Sequence, residues 1–281
     1  MFSVHVLTYG DHPDLICRCL TSVRQSADWS LISEVVIGMN EISYRVVDYL
    51  MAFAMRCPVP VRLISESNNK NVGKYPLMRR MLAGVAADRV MWFDDDSHVT
   101  GDQSWWKRVH DKSDKCDLLG QKWRISSLGS QHLGVNAQPW CRKPRLQPKF
   151  TFDFCTGGWW VAKIAKLRQW DYPFLELHCN GGDSILGELA QQQGWTVSEI
   201  RDAAKLTQHR QKKLPDDGDL GGGVAVNRAK RRGDTSRWIW QDWVPGQVPD
   251  LSHQQFEVRE VAYRKKIDLG PLPPLIKLPG M

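Results

Sequence analysis

The sequence lacks the features of a zinc-bound, disulfide-linked or membrane-spanning protein. Its seven cysteines form no CxxC pair and no Cys/His zinc spacing, and an odd, scattered set is typical of free thiols in a reducing compartment. No apolar run is long enough to span a bilayer, and the first residues lack the basic and apolar regions of a signal peptide. We therefore expect a cytoplasmic protein with no membrane contact and no obligate protein partner.

The composition is that of a globular protein, because 42% of the 281 residues are hydrophobic and 25% are charged. Disorder, collagen and a coiled coil are therefore excluded for the chain as a whole. The net charge of +7 is concentrated: residues 121–149 carry six basic side chains and no acidic one, and residues 205–237 carry a net +5. Together with thirteen tryptophans, this distribution favours an anionic ligand or partner.

The first hundred residues alternate between strand and helix patterns. Apolar and β-branched runs predict strands at 4–8, 34–38, 59–64 and 89–93, and helical spacing follows Pro13, spans 44–56 and runs from Gly73 to about Val85. This alternation predicts an α/β fold with a doubly wound, mostly parallel sheet flanked by helices, which binds ligands beyond the carboxyl ends of its strands. We assign residues 1–205 to this domain and residues 206–281 to a basic, Trp- and Pro-rich C-terminal extension.

Three consecutive aspartates follow the fourth predicted strand. On an extended backbone Asp94 and Asp96 point the same way, so they can converge on one cation. Carboxylates completed by phosphate oxygens suit Mg²⁺ or Mn²⁺. The alternative is a solvated turn or a helix N-terminus, where aspartate is common.

Four segments, in order along the chain, resemble the motifs of family 2 glycosyltransferases with the GT-A fold. They are the opening strand and helix at 4–25, Asn-Val-Gly at 71–73, Met-Trp-Phe-Asp-Asp-Asp at 91–96, and 182–195 from Gly-Asp to Gly-Trp. The resemblance covers roughly residues 3–200. It implies a GT-A fold and metal-dependent, inverting transfer of a sugar from a nucleotide-sugar, with a UDP-sugar favoured, to a hydroxyl. Two positions depart from the pattern: Gly182 replaces the usual glutamate, and residues 38–41 replace an aspartate.

The resemblance gives a role to each acidic motif. Asp183, at the start of a predicted helix, would take the proton of the acceptor hydroxyl, although an aspartate there also caps a helix. Asp94 and Asp96 would hold Mn²⁺ or Mg²⁺, which neutralises the leaving diphosphate. His209 lies where some GT-A enzymes place a third metal ligand, and a surface histidine is the alternative.

The other expected site residues divide into a donor side and an acceptor side. The expected donor-binding residues are Thr8, Tyr9, Asp11, Asn40, Glu41, Gly73, Lys74 and Asp95. The expected acceptor-side wall is Gly158, Trp159 and Trp160. Base stacking and ordinary packing are both open for Tyr9, and core packing is the alternative for the two tryptophans.

The two basic stretches suggest an acceptor. Cations interleaved with aromatics, such as Trp123 and Trp140, suit a nucleic acid with exposed bases, although a solvated basic surface with core tryptophans is the alternative. The cations expected at the acceptor are Arg142, Lys143, Arg145, Arg231 and Arg232. By resemblance to phage glucosyltransferases that modify hydroxymethylated pyrimidines, we expect a hydroxyl on a DNA base, and a host's cytoplasm as the location. The alternatives are a glycan, lipid or protein acceptor, and a non-catalytic nucleic-acid-binding protein.

Overall fold

The apolar runs of the sequence form the strands of a seven-stranded sheet. The computed structural model describes residues 1–10, 13–65, 71–99, 103–127, 135–144, 149–174 and 182–200. The strands are β1 (Phe2–Gly10), β2 (Ile32–Ile42), β3 (Val61–Ser65), β4 (Arg89–Asp94), β5 (Leu118–Ser127), β6 (Lys149–Lys163) and β7 (Val197–Glu199). The helices are α1 (Pro13–Ser26), α2 (Tyr44–Ala54), α3 (Lys74–Leu82), α4 (Gln103–Ser113), α5 (Ile164–Gln169) and α6 (Gly182–Gln192).

The order of strands in the sheet is β3-β2-β1-β4-β6-β5-β7. Strands β3, β2, β1 and β4 are parallel, whereas β6 is antiparallel to both of its neighbours, β4 and β5. The carboxyl ends of β1, β2 and β4 therefore meet at one edge, and β6 enters the sheet from that same edge. This edge is where the predicted acidic motif lies.

The predicted α/β architecture is confirmed, and the four strands expected in the first hundred residues are β1 to β4. Helix α1 begins at Pro13, as the fixed φ of proline at a first helical position favours. Helix α2 follows Ser43, whose hydroxyl accepts a hydrogen bond from the backbone N–H of Val46 at 3.3 Å. The sequence pattern predicts no strand after β4, so β5, β6 and β7 were not expected.

Both faces of the sheet are covered by helices. On one face Val4 and Val6 pack in a core with residues of α1, α2 and α4, including Leu20, Leu50 and Trp106. On the other face Val36, Val90 and Trp92 pack in a core with α3, α5 and α6, including Leu77, Leu167 and Ile185. Strands buried on both faces carry continuous apolar runs rather than alternating ones, which is the pattern found in β2 and β4, whereas β1 alternates and buries the polar residues Ser3 and His5.

The cysteines in the described residues have free thiols, and Cys17, Cys19, Cys116 and Cys155 are buried. Buried cysteines of this kind serve as small apolar residues of the core. None of the helices in the described part of the chain has the length and apolarity that crossing a membrane requires.

A buried chain of polar groups links β1 to β2 and β3. The Ser3 hydroxyl donates to Glu34 Oε1 at 2.8 Å, and Nε2 of His5 lies 3.0 Å from the same hydroxyl. Arg62 Nε donates to the other oxygen of Glu34 at 2.7 Å. Burial of the imidazole, assisted by the positive charge of Arg62, lowers the pKa of His5 to about 3. In the folded protein the imidazole of His5 is therefore neutral near pH 7.

Acid should destabilise the fold through His5. A histidine with a lowered folded-state pKa stabilises the fold fully above its unfolded pKa of 6.5, and this contribution is lost as the pH falls toward 3. We expect the free energy of unfolding to fall by about 2 kcal/mol more in the native protein than in a His5→Gln variant between pH 6.5 and 4.5. Urea denaturation at several pH values measures both slopes, and equal slopes would refute this assignment.

Candidate active site

The site lies at the edge of the sheet where β1, β2 and β4 end. Asp94 is the last residue of β4, next to the end of β1, since Leu7 pairs with Asp94 in the parallel register. In the antiparallel register with β6, Phe93 pairs with Trp159, so Gly158 and Gly157 come next to Asp94. This topology brings a carboxylate and a glycine-rich backbone segment together.

Lys74 is ion-paired with Asp94. Its Nζ lies 2.7 Å from Oδ1 and 2.8 Å from Oδ2 of Asp94. The indole Nε1 of Trp92 donates to Asp94 Oδ1 at 2.9 Å, and the ring of Trp92 lies below the ammonium with its centroid 5.6 Å away. The carboxylate of Asp94 is thus fixed in orientation and neutralised by a lysine from α3. Lys74, expected at the donor, does reach the acidic motif.

The other two aspartates lie in a buried turn after β4. Asp95 accepts a hydrogen bond from the backbone N–H of Tyr9 at 3.1 Å, and its own N–H donates to the carbonyl of Leu7 at 3.2 Å. Asp95 therefore links β4 to the end of β1 through two hydrogen bonds. This positioning role was not expected from the sequence. Asp96 is also buried. The alternative of a solvated turn is wrong, because neither Asp95 nor Asp96 is exposed.

A bulge in β6 forms the wall opposite Asp94. Gly120 of β5 pairs with Trp160 and Lys122 pairs with Cys155, so more residues of β6 than of β5 lie between these two pairs. Bulges turn backbone groups out of the ladder and are frequent next to active sites. Here the N–H of Gly157 donates to Asp183 Oδ2 at 3.1 Å, and its carbonyl accepts from Lys74 Nζ at 3.4 Å. Gly157 therefore connects the candidate base to the lysine.

Asp183 is partly buried at the start of α6, the position expected from the sequence. Its second oxygen accepts from the N–H of Ser184 at 2.8 Å. Burial raises the pKa of Asp183, while Lys74 and the two backbone N–H groups oppose that rise and the charge of Asp94 adds to it. A buried carboxylate with a raised pKa is suited to accepting a proton near neutral pH. Its hydrogen bonds are to Ser184 and Gly157, so its contacts extend beyond those of a helix cap.

Tyr75 leaves no room for a side chain at Gly182. A Cβ atom at Gly182 would overlap the phenol ring of Tyr75, which is itself buried. The carbonyl of Gly182 accepts from the hydroxyl of Tyr172 at 3.1 Å. The glycine at this position is thus required by the packing of the Tyr75 ring.

The donor-side residues lie on neighbouring strand ends. Asn40 is buried at the end of β2, donates to Asn71 Oδ1 at 2.9 Å and accepts from the N–H of Val72 at 2.9 Å. It therefore fixes the segment before α3, where Gly73 has a φ of +86° that favours glycine. Glu41 also has a positive φ, of +55°. Thr8 is buried in β1, and Asp11 lies outside the described residues.

The two tryptophans of β6 do not form an exposed wall. Trp159 is buried with its ring centroid 5.4 Å from that of Trp105, and Trp160 is buried on the other face, stacked on Trp92 at 5.9 Å. Neighbouring residues of a strand face opposite sides, and both sides of this sheet are covered. The expectation of an acceptor-side wall from Trp159 and Trp160 is therefore wrong, and only Gly158 of that group is partly exposed.

Part of the positive charge in the basic stretch at 121–149 is already paired with a carboxylate. Asp153 pairs with Arg124 at 2.9 Å and with Lys122 at 3.3 Å, and these contacts lower the pKa of Asp153. Trp140 is buried and stacks on Phe174, whereas Trp123 is 52% exposed. Arg142 and Lys143 are exposed. The remaining expected residues, Arg145, His209, Arg231 and Arg232, lie outside the described residues, as does the extension at 206–281.

The donor chemistry of the acidic motif fits a hard divalent cation. Asp94 and Asp96 offer carboxylate oxygens, which Mg²⁺ and Mn²⁺ prefer. Among the described residues no three His, Cys, Asp or Glu side chains come together as a metal site. Further ligands would therefore have to come from a substrate or water, as is usual for Mg²⁺ at phosphates.

Sequence reasoning missed three residues that build the site: Trp92, Gly157 and Tyr75. The alternation of Trp92 and Asp94 along β4 is a signal for the first contact, because residues i and i+2 share a face. Gly157 and Tyr75 act through contacts that depend on the three-dimensional fold, and no local pattern indicates them.

Comparison with known proteins supports the fold. No protein-family model matches the sequence, and no curated protein matches it. The structure is similar to a mannosyltransferase from Pyrobaculum calidifontis in complex with GDP-Man and Mn²⁺, with a TM-score of 0.50 and 15% identity, covering 72% of this chain and 55% of that one. S. aureus TarS with UDP-GlcNAc matches with a TM-score of 0.47 and 15% identity, covering 72% of this chain and 56% of that one.

HddC from Yersinia pseudotuberculosis matches with a TM-score of 0.41 and 12% identity over 71% of this chain and 90% of that one. At such identities the similarity to the mannosyltransferase concerns the fold, and the predicted GT-A-type α/β fold is confirmed by it. The chain spans about half the length of that mannosyltransferase.

The packing of Tyr75 against Gly182 can be tested by adding one methyl group. Gly182→Ala should lower the free energy of unfolding by about 1–3 kcal/mol, because the new Cβ overlaps a buried ring. Gly157→Ala is the matched control, since the nearest atom to its Cβ would lie 3.4 Å away. Urea denaturation of both variants gives the comparison, and equal losses of stability would contradict the packing argument.

Proposed function

We propose that this chain is a glycosyltransferase that moves a sugar from a nucleotide-sugar to a hydroxyl acceptor. The observation that carries the proposal is the meeting of Asp94, Lys74 and Asp183 around Gly157 at the carboxyl edge of the sheet. A partly buried carboxylate that can take a proton then lies beside a charged group that can meet a diphosphate. Aspartates with a raised pKa next to a charged partner are concentrated at functional sites, which favours catalysis over non-catalytic binding.

In the proposed reaction Asp183 accepts the proton of the acceptor hydroxyl. The oxygen attacks the anomeric carbon, and the bond from that carbon to the β-phosphate oxygen breaks, so that the nucleoside diphosphate leaves. A single base opposite the leaving group gives inversion at the anomeric carbon. Mn²⁺ or Mg²⁺, held by Asp96 and Asp94, would neutralise the charge that develops on the diphosphate. Asn40 and Asp95 hold the two neighbouring strand ends in place.

For the donor we favour a UDP-sugar on the sequence resemblance. The mannosyltransferase of similar fold is described with GDP-Man and Mn²⁺, so a GDP-sugar is the second candidate. Assays should therefore include sugars carried on both nucleotides.

For the acceptor we propose a hydroxymethylated base in DNA. Trp123 is half exposed on β5, one strand away from the β6 segment that holds Asp183, and Arg142 and Lys143 are exposed. An exposed indole suits stacking on a base, and cations attract phosphates. Lys122 and Arg124 contribute less than expected, because Asp153 already neutralises part of their charge. A base inside a duplex would have to be flipped or reached through the major groove.

Removing the base or a metal ligand should abolish turnover. We expect Asp183→Asn and Asp96→Ala to reduce Mn²⁺-dependent hydrolysis or transfer of a sugar nucleotide by about 10²–10⁴-fold. Native turnover should decline as the pH falls through a pKa above the ordinary 3.8 of aspartate, because Asp183 must be ionised. Initial rates with a panel of UDP- and GDP-sugars across pH measure both effects.

Asp117→Asn serves as the matched control for turnover, since Asp117 pairs with Lys163 at 3.0 Å and accepts a hydrogen bond from the backbone N–H of Thr196, outside the site. Circular dichroism confirms folding of each variant. Turnover that survives the change at Asp183 would exclude it as the base.

The DNA acceptor predicts salt-sensitive binding that depends on Trp123. Trp123→Ala should weaken binding of hydroxymethylated DNA about 5–100-fold, the value of one stacked base, and Arg142→Ala should reduce the salt slope by about one phosphate contact. Gel shifts at two salt concentrations measure both, with Lys163→Ala as control because Lys163 pairs with Asp117 at 3.0 Å, away from this surface. Transfer without DNA binding would favour a glycan, lipid or protein acceptor.

A further inference from the structure

The Lys74 ammonium occupies the cation position of the first aspartate. Both oxygens of Asp94 lie within 2.8 Å of its Nζ, and the indole N–H of Trp92 takes one more lone pair of Oδ1. The two side chains are only about one-fifth exposed, at 22% for Lys74 and 21% for Asp94. Ion pairs that are mostly removed from water are screened less than surface pairs.

A divalent cation and this ammonium compete for the same oxygens. Mg²⁺ and Mn²⁺ bind carboxylate oxygens directly, at about 2.0–2.2 Å. A cation at that distance on the side of Asp94 that faces Lys74 would lie in contact with its Nζ, and a cation on the remaining lone pair of Oδ2 would still be repelled by the ammonium in a partly buried site. Lys74 therefore weakens the binding of a divalent cation to Asp94.

The Lys74 ammonium has other contacts besides Asp94. Lys74 is the first residue of α3, and its four-carbon side chain is flexible. Its third contact, to the carbonyl of Gly157, is long at 3.4 Å, and the faces of Trp92 and Tyr75 lie 5.6 and 5.9 Å from Nζ. Aromatic faces stabilise a cation at such distances. The Lys74 ammonium would therefore keep a stabilising contact when it moves toward an anionic ligand.

We propose that Lys74 keeps divalent cations off Asp94 in the donor-free protein, and releases Asp94 when the diphosphate of a donor attracts the ammonium. The metal and the donor would then bind together rather than the metal first. This inference rests on the proposed function, because it assigns an order to the binding of that reaction's donor and ion.

Titration of Mn²⁺ without nucleotide, followed by the electron paramagnetic resonance of free Mn²⁺, tests the inference without measuring activity. Lys74→Gln should bind Mn²⁺ on the order of tenfold more tightly than the native protein, because it removes the competing charge. Lys163→Gln is the matched control: it removes the same charge from another Lys–Asp pair, in which Nζ lies 3.0 Å from Oδ1 of Asp117.

A double variant isolates the contact. In an Asp94→Asn background the gain in Mn²⁺ affinity from Lys74→Gln should disappear, because the carboxylate for which the ammonium and the metal compete has been removed.

Without metal, UDP or GDP should bind Lys74→Gln about tenfold more weakly than the native protein, since the ammonium is the group that contacts the diphosphate. Isothermal titration calorimetry measures this second effect, and thermal melting checks folding.

Three results would overturn the inference alone: Mn²⁺ binding indifferent to Lys74, an equal gain in Lys163→Gln, or a gain that persists in the Asp94→Asn background. Absence of Mn²⁺ binding in every variant, with or without nucleotide, would overturn the inference and the metal-dependent function together. Loss of turnover in Asp183→Asn is independent of all these results and continues to test glycosyl transfer by itself.

Discussion

The site depends on how the fold accommodates the partly buried carboxylate of Asp183. Burying an isolated carboxylate is costly, so it needs hydrogen bonds and a nearby positive charge. The bulge in β6 supplies both through one residue, because Gly157 donates its N–H to Asp183 and accepts from Lys74 with its carbonyl. Lys74 in turn neutralises Asp94. Two acidic groups from distant segments are therefore linked through one cation and the two backbone groups of one residue.

Much of the framework follows from local sequence signals. The strands β1 to β4 are apolar runs, α2 follows a serine cap and α1 begins at a proline, so each element is specified by residues within it. Asp183 is placed at a helix start for the same reason. The pairing of Lys74 with Asp94 joins residues 20 positions apart, and the contact of Gly157 with Asp183 joins residues 26 apart. Such contacts exist only once the sheet has formed.

The tryptophans show where local reasoning fails. Trp159 and Trp160 follow two glycines, a pattern that resembles a substrate-facing loop, yet they lie in the middle of a paired strand. Alternation along a strand separates an inner from an outer face only when one face meets water, and here helices cover both. The antiparallel course of β6 was not visible in its sequence either, since its glycine-rich bulge interrupts the strand pattern.

The outer edge of the sheet has a consequence for how copies of this chain meet one another. Strand β7 pairs with β5 only as far as Gly120, and among the described residues the rest of β5 pairs with β6 alone. An open strand edge invites a second molecule to add its own strand and to aggregate. Here Lys122 and Arg124 flank the exposed Trp123, and together with Asp153 they leave a surplus positive charge on that edge. Like charge on two approaching edges disfavours such strand addition.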